Sequence, residues 1–238
     1  MLAAGDTLAL WVSVKLALIT TVILLLLCTP LAWWLARRVR PGQALLEALL
    51  ALPLVLPPTV LGFYLLLFLG PDGPGGWLGS LLERPGLAFS FAGLVIGSVV
   101  YSLPFVLQPL KNAFAAIDKD VLDMAAAAGA GPLDRFFSVV LPLARPGYLS
   151  AAVLGFAHTL GEFGVVLMIG GSIAGETRVA SVALYEHVEA GDYASAQRLA
   201  LVLVVLSLVL LWAVFRWQKK ARGRYESVPG YRPSSRRF

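Results

Sequence analysis

His158 and Glu162 stand four residues apart in an apolar run that extends roughly from Gly147 to Ile169. That spacing puts both side chains on one helix face. An imidazole and a carboxyl so placed could begin a metal site, but the sequence offers no third ligand beside them. An ionisable group in an apolar helix is costly, and by default it marks function. Two readings of Glu162 stand: a group on a path, or a carboxyl bonded to His158, a backbone group or a neighbouring helix. Gly161 and Gly164 beside it allow close approach or bending. Pro57, Pro58 and Thr59 are a second candidate. Prolines free carbonyls and create kinks, which serve either as a gate or as a plain bend.

Other chemistries find little support. The chain lacks Gly-x4-Gly-Lys-Ser/Thr, and its glycine-rich stretch from Gly70 to Gly79 has no lysine, so that stretch reads as a loop. Cys28, the single cysteine, lies in an apolar run and reads as a packing residue; it can form no internal disulfide. No Cys/His cluster suggests a metal. The formal charge of +5 does not point to nucleic acid, because no aromatic platform interleaves with the basic residues.

These residues must be held by membrane helices. The chain has 238 residues, 58% hydrophobic and 14% charged, where a soluble domain carries about 25% charged. Mean hydropathy is +0.80. The apolar residues gather into runs of about 20 or more, enough to span a bilayer, where only helices satisfy the backbone. Five spans are expected: Leu8 to Leu35, with Lys15 snorkelling; Leu45 to Leu69, containing Pro53, Pro57 and Pro58; Phe89 to Leu110, broken by Pro104; Gly147 to Ile169; and Leu199 to Trp217, with a possible start near Tyr193.

Basic residues set the orientation. Arg37, Arg38, Arg40, Lys111, Lys119, Arg135, Arg145 and the group Arg216, Lys219, Lys220, Arg222 and Arg224 follow spans one, three and five. Those ends are therefore expected in the cytoplasm, with the N-terminus outside. Only Arg84 follows span two, and Arg178 and Arg198 follow span four. The N-terminal residues Met1 to Thr7 hold no basic residue, and the first run ends in Trp33-Trp34 and Arg37-Arg38, an anchor pattern expected of a retained helix. Residues 1–222 are expected as one membrane domain, and 223–238 as a basic tail with little to pack, solvated or touching anionic lipid.

The polar interval 112–146 is the most informative stretch. Asp118 is placed to cap a helix, Asp120 complements its dipole, and Ala125 to Ala128 favour it. Gly129 stops that helix, and Gly131-Pro132 starts a second one expected to end at Leu141-Pro142. Pro142 and Pro146 are expected to bend the chain before span four. A short alanine-faced helix, a glycine hinge and an amphipathic helix could dock in a partner's groove or form an ordinary interfacial hairpin.

This interval resembles the conserved cytoplasmic loop of binding-protein-dependent ABC importer permeases, which reads Glu-Ala-Ala, three residues, Gly, then about nine residues to Ile-x-Leu-Pro. Ala125, Gly129, Leu141 and Pro142 match. Asp123 stands for the glutamate, Met124 for the first alanine and Val139 for the isoleucine; Asp123 keeps the carboxylate with shorter reach. Leu52-Pro53-Leu54-Val55-Leu56-Pro57-Pro58, Leu160-Gly161-Glu162-Phe163-Gly164, Gly175-Glu176-Thr177-Arg178 and Arg40-Pro41-Gly42 are similar to the molybdate permease subfamily. Sulfate permeases share the Glu-Phe-Gly stretch but are typically longer.

The resemblance implies an all-α, type I importer permease acting as a homodimer in a bacterial inner membrane. It implies two ATPase subunits docked on the cytoplasmic loop and a periplasmic binding protein delivering the oxyanion. ATP and Mg would sit on the ATPase, and this chain would bind no cofactor. Coupling would fall to Asp118, Asp123, Met124, Ala125, Gly129, Gly131, Pro132, Leu141 and Pro142. Pro57, Pro58, Thr59, His158, Glu162 and Gly164 are the candidates for the path or gate. A carboxylate is an odd lining for a dianion, so a structural role for Glu162 is preferred. Arg178 and Arg198 either attract anion at the outer mouth or anchor the interface, and His187 with its acidic neighbours is a docking surface or solvated loop.

Overall fold

The computed structural model describes residues 3–37, 41–80 and 85–226. Arg38, Arg40, Arg84 and tail residues 227–238 lie outside the described residues. The described chain is helical throughout its regular elements. In order these are α1 (Ala4–Arg37), α2 (Gln43–Ala51), α3 (Pro58–Leu69), α4 (Pro74–Ser80), α5 (Phe91–Ala115), α6 (Lys119–Ala127), α7 (Pro132–Leu160), α8 (Gly164–Gly170), α9 (Ala180–Glu189) and α10 (Tyr193–Glu226). Four helices, α1, α5, α7 and α10, are long and apolar enough to cross a membrane, and α2 with α3 makes a fifth crossing if the bent pair is one span.

α1, α5 and α7 form the centre. On one half Leu24, Cys28, Ala32 and Leu35 of α1 meet Val106, Leu107, Leu110 and Phe114 of α5 and Val140, Ala144 and Ala151 of α7. On the other half Val12 and Leu16 of α1 meet Leu65, Leu69, Leu94, Val165, Val166 and Ile169. Cys28 packs here, fully buried. α10 lies at the periphery with most of its apolar face exposed, as suits lipid. It continues through residues 223–226, which the sequence reading assigned to the tail.

Four expectations about continuity are corrected. Span two is not one kinked helix: α2 closes in a 3-10 turn at Leu52–Leu54, and α3 leaves it at 104°. Pro57 and Pro58 have no N–H to continue the ladder, and Pro57 is extended (φ −55°, ψ 134°), as a residue before proline prefers. Span three is not broken at Pro104; α5 runs through Pro104 and Pro109, packed against α1 and α7. The second loop helix does not end at Pro142 but runs on into span four. Phe136–Val140 form a π turn in which Leu141 N–H reaches the Phe136 carbonyl, so the register shifts by one residue and the helix carries past Pro142 and Pro146. Span four stops at Leu160 and resumes at Gly164, leaving Gly161 to Phe163 as a break.

Candidate functional site

The break in span four faces the break in span two. α8 starts where α3 starts, and a Cβ on Gly164 would lie 2.8 Å from Pro58 Cβ, so glycine permits the two helix ends to meet. Between them lies a cavity of about 600 Å³ lined by Pro58, Thr59, Tyr101, Ala157, His158, Gly161, Glu162, Phe163 and Gly164. Five of the six path candidates thus share one cavity. Pro57 is not in its lining and serves as the residue before α3.

α5 supplies the partners of the two ionisable groups. Ser98 Oγ donates to Glu162 Oε2 at 2.8 Å, and one turn on Ser102 Oγ shares a hydrogen bond with His158 Nδ1 at 2.9 Å. Ser102 also bonds Thr159 Oγ1 at 2.9 Å. His158 stacks on Phe105 with centroids 3.7 Å apart and tilts against Tyr101 at 4.7 Å. Of the bonding choices open for Glu162, the structure shows the neighbouring span, not His158. The Glu162 carbonyl accepts from Ser181 Oγ at 2.5 Å, which ties the break to α9. Glu162 is 4% exposed, and its Oε1 is buried with no partner. No lysine or arginine lines the cavity among the described residues.

Sequence reasoning singled out Glu162 and His158 but missed Ser98, Ser102, Tyr101 and Thr159. Ser98 and Ser102 lie one turn apart on α5 and face the acid and the imidazole, Tyr101 lies beside Ser102, and Thr159 follows His158 on α7. Sequence reasoning also missed Asp6, a buried acid in the first turn of α1 whose Oδ1 lies 2.8 Å from His187 Nε2. Beside that pair Arg178 Nε meets Glu186 Oε2 at 2.7 Å, Arg178 Nη1 donates to the Gly5 carbonyl, and Ser172 donates to Glu186. Burial pushes the Glu186 carboxyl up, but the Ser172 bond and then the Arg178 bond and charge outweigh it, leaving it below its ordinary value. Arg178 and His187 therefore brace α9 against α1. Arg198 bonds the Ala194 carbonyl and Ser195 Oγ of its own helix.

The polar interval is built by local rules. Asp118 caps α6 by accepting from Asp120 N–H at 3.2 Å. At the other end Ala130 N–H reaches the Ala125 carbonyl and Gly129 N–H the Ala126 carbonyl, the paired closure that needs a left-handed residue. Gly129 supplies it with φ +88°. Gly131 precedes α7, and Pro132 is its first residue. Asp123 is exposed, Ala125 half-buried, and Leu141 and Pro142 half-buried within α7. The outward face carries apolar side chains: Met124 is 71% exposed, Leu133 75% and Phe137 61%. A face of that kind on a polar loop invites a protein partner.

Broken spans around a cavity that holds an acid and an imidazole, beside a hairpin with an exposed apolar face, fit a multi-pass membrane transport protein. The chain belongs to the family of binding-protein-dependent transport system inner membrane components, which matches residues 28–223. It is 55% identical over 214 residues to the molybdenum transport system permease protein ModB of Azotobacter vinelandii, covering 90% of this chain and 95% of that one. It is 38% identical over 197 residues to the protein of the same name from Haemophilus influenzae, covering 79% and 85%. Its fold matches a chain of a bacterial ABC transporter involved in the import of the acidic polysaccharide alginate, with TM-score 0.72 and 16% identity, covering 92% and 80%. The fold is that of ABC importer permeases, and the chain is a multi-pass inner-membrane protein.

Proposed function

We propose that this chain is the permease subunit through which an ATP-driven importer carries molybdate across a bacterial inner membrane. The observation that carries the reading is the 55% identity to a molybdenum permease along 95% of that relative's length. Two copies form the pathway. Two ATPase subunits dock on the hairpin of α6 and the start of α7, through Met124, Ala125, Gly129 and their neighbours. ATP and Mg belong to those subunits. A periplasmic binding protein delivers the oxyanion at the opposite face. The N-terminus is outside and the C-terminus cytoplasmic, as the basic flanks favour.

The oxyanion passes the cavity between the two broken spans. Breaks at Val55–Pro57 and Gly161–Phe163 give that region hinges on both sides. Docking strain applied at the hairpin has a continuous mechanical route to it, because α7 runs from Pro132 to Leu160 and ends at the break. Glu162 holds the break to α5 through Ser98 and to α9 through Ser181.

Co-purification tests the coupling half of this reading: the chain should retain its ATPase, and Gly129→Trp or Ala125→Trp should release it. Calorimetric titration of the cognate binding protein with molybdate, tungstate and sulfate tests the cargo. A preference for sulfate by orders of magnitude would overturn molybdate while leaving the importer reading intact.

A further inference from the structure

We propose that His158 donates a hydrogen bond to the passing oxyanion through its Nε2–H, and that Ser102 and Thr159 fix the ring in the tautomer that can do so. This rests on the reading above that the oxyanion passes the cavity between the broken spans. His158 lines that cavity, and its hydrogen bond among the described residues is the 2.9 Å contact of Nδ1 with Ser102 Oγ. Nε2 has no protein partner among the described residues, and it is not shut away in the protein as Glu162 Oε1 is.

The supply of hydrogens sets the direction of the bonded chain. Ser102 is fully buried and Thr159 is 3% exposed, and Thr159 Oγ1 bonds Ser102 Oγ at 2.9 Å. If Nδ1 carried the proton and donated to Ser102, one buried hydroxyl hydrogen of this pair would be left without an acceptor among the described residues. A buried donor so stranded is costly. If Thr159 donates to Ser102 and Ser102 donates to Nδ1, both hydroxyl hydrogens are used, and the ring proton stands on Nε2. Stacking on Phe105 at 3.7 Å and the tilt against Tyr101 at 4.7 Å hold the ring plane. The donor left over is the one at the cavity wall.

An oxyanion suits that donor. No lysine or arginine lines the cavity among the described residues, so neutral donors must replace the hydration of a dianion there. Thr59 and Tyr101 add hydroxyls that make no hydrogen bond among the described residues. Both oxygens of Glu162 are withdrawn, Oε2 to Ser98 and Oε1 into the protein. A neutral N–H favours entry without the deep well of a fixed positive charge, and a path needs both entry and release.

The test uses the permease with isotope-labelled histidine, assembled with its unlabelled ATPase in nanodiscs and read by nitrogen NMR. The chain has two histidines, and the signals absent from His158→Gln belong to His158. They should show a protonated Nε2 and a bare Nδ1, and the Nε2 signal should move when sodium molybdate and loaded binding protein are added. Ser102→Ala should spread the proton over both nitrogens. A proton on Nδ1 in the wild type, alone or together with one on Nε2, overturns the proposal, and so does an Nε2 signal that molybdate leaves in place. Uptake into proteoliposomes is the second readout. His158→Phe keeps a ring to stack but has no donor, and should lower molybdate uptake at least about tenfold, the loss of one hydrogen bond to a charged group. His158→Gln, whose amide N–H stands in for Nε2–H, should stay within about threefold of the wild type. Wild-type uptake in both variants, or an equal loss in both, overturns the proposal. Absence of molybdate uptake by the wild type strikes instead at the importer reading.

Discussion

The cavity and the hairpin are opposites in construction. The cavity is assembled from three stretches distant in sequence, α3, α5 and the break between α7 and α8, and its acid and imidazole are bonded across spans to α5. The hairpin is made by neighbours in sequence, and its functional face is apolar and exposed. Damage should therefore differ. A change in the cavity disturbs both stability and passage, because each bond serves two helices. A change on the hairpin face leaves the membrane fold alone and acts only when a partner is present.

Gly129→Val breaks the comparison hardest. A β-branched residue at φ +88° costs about 1–3 kcal/mol locally, enough to misplace the hairpin. ATP-driven uptake should fall at least about tenfold, the equivalent of 1.4 kcal/mol or more, while the melting temperature of the membrane subunit alone hardly moves. Glu162→Ala is next. It strands the Ser98 hydroxyl in a buried site, at about 1–3 kcal/mol, and should lower both thermal stability and uptake. Glu162→Gln keeps an acceptor for Ser98 and should restore most of the stability, so uptake by that variant isolates what the carboxyl does beyond bracing.

The outer brace sharpens the comparison with a smaller effect. Glu186 has a carboxyl value below its ordinary 4.5 in the folded protein. Its stabilising contribution is therefore complete above the unfolded value and is lost as pH falls below 4.5 through the depressed native value. A melting series against pH should show Glu186→Gln converging on the wild type at the acid end and lying below it at neutral pH. Smallest of all, Met124→Ala should change the stability of the isolated subunit by no more than about 0.5 kcal/mol while weakening ATPase capture in co-purification. An equal loss of stability would mean that Met124 packs in the membrane domain.

The same contrast explains what could be read from sequence. The turn of the hairpin was legible, though the end of its second helix was not: Asp118 as cap, Gly129 as stop and Pro132 as first residue all obey rules of a few neighbouring positions. Span number was legible because hydropathy is additive along the chain. Where the spans break was not. Pro104 and Pro109 sit in an unbroken helix, whereas Pro57 and Pro58 lie where one helix has ended and the next begins, so the presence of proline alone does not tell a break from a continuous helix. The π turn at Phe136–Val140 likewise leaves no simple trace. Glu162 could be singled out by its cost in an apolar run, but its partner could not be named, because Ser98 is 64 residues away in sequence.

The central claim is that the chain transports only when its hairpin is driven by an ATPase. Uptake of molybdate into proteoliposomes measures this directly, with binding protein outside, ATP inside, and the permease reconstituted with or without its ATPase subunits. The account predicts uptake with the ATPase and ATP together, and none when either is missing. Uptake by the permease alone down an imposed ion gradient would contradict it.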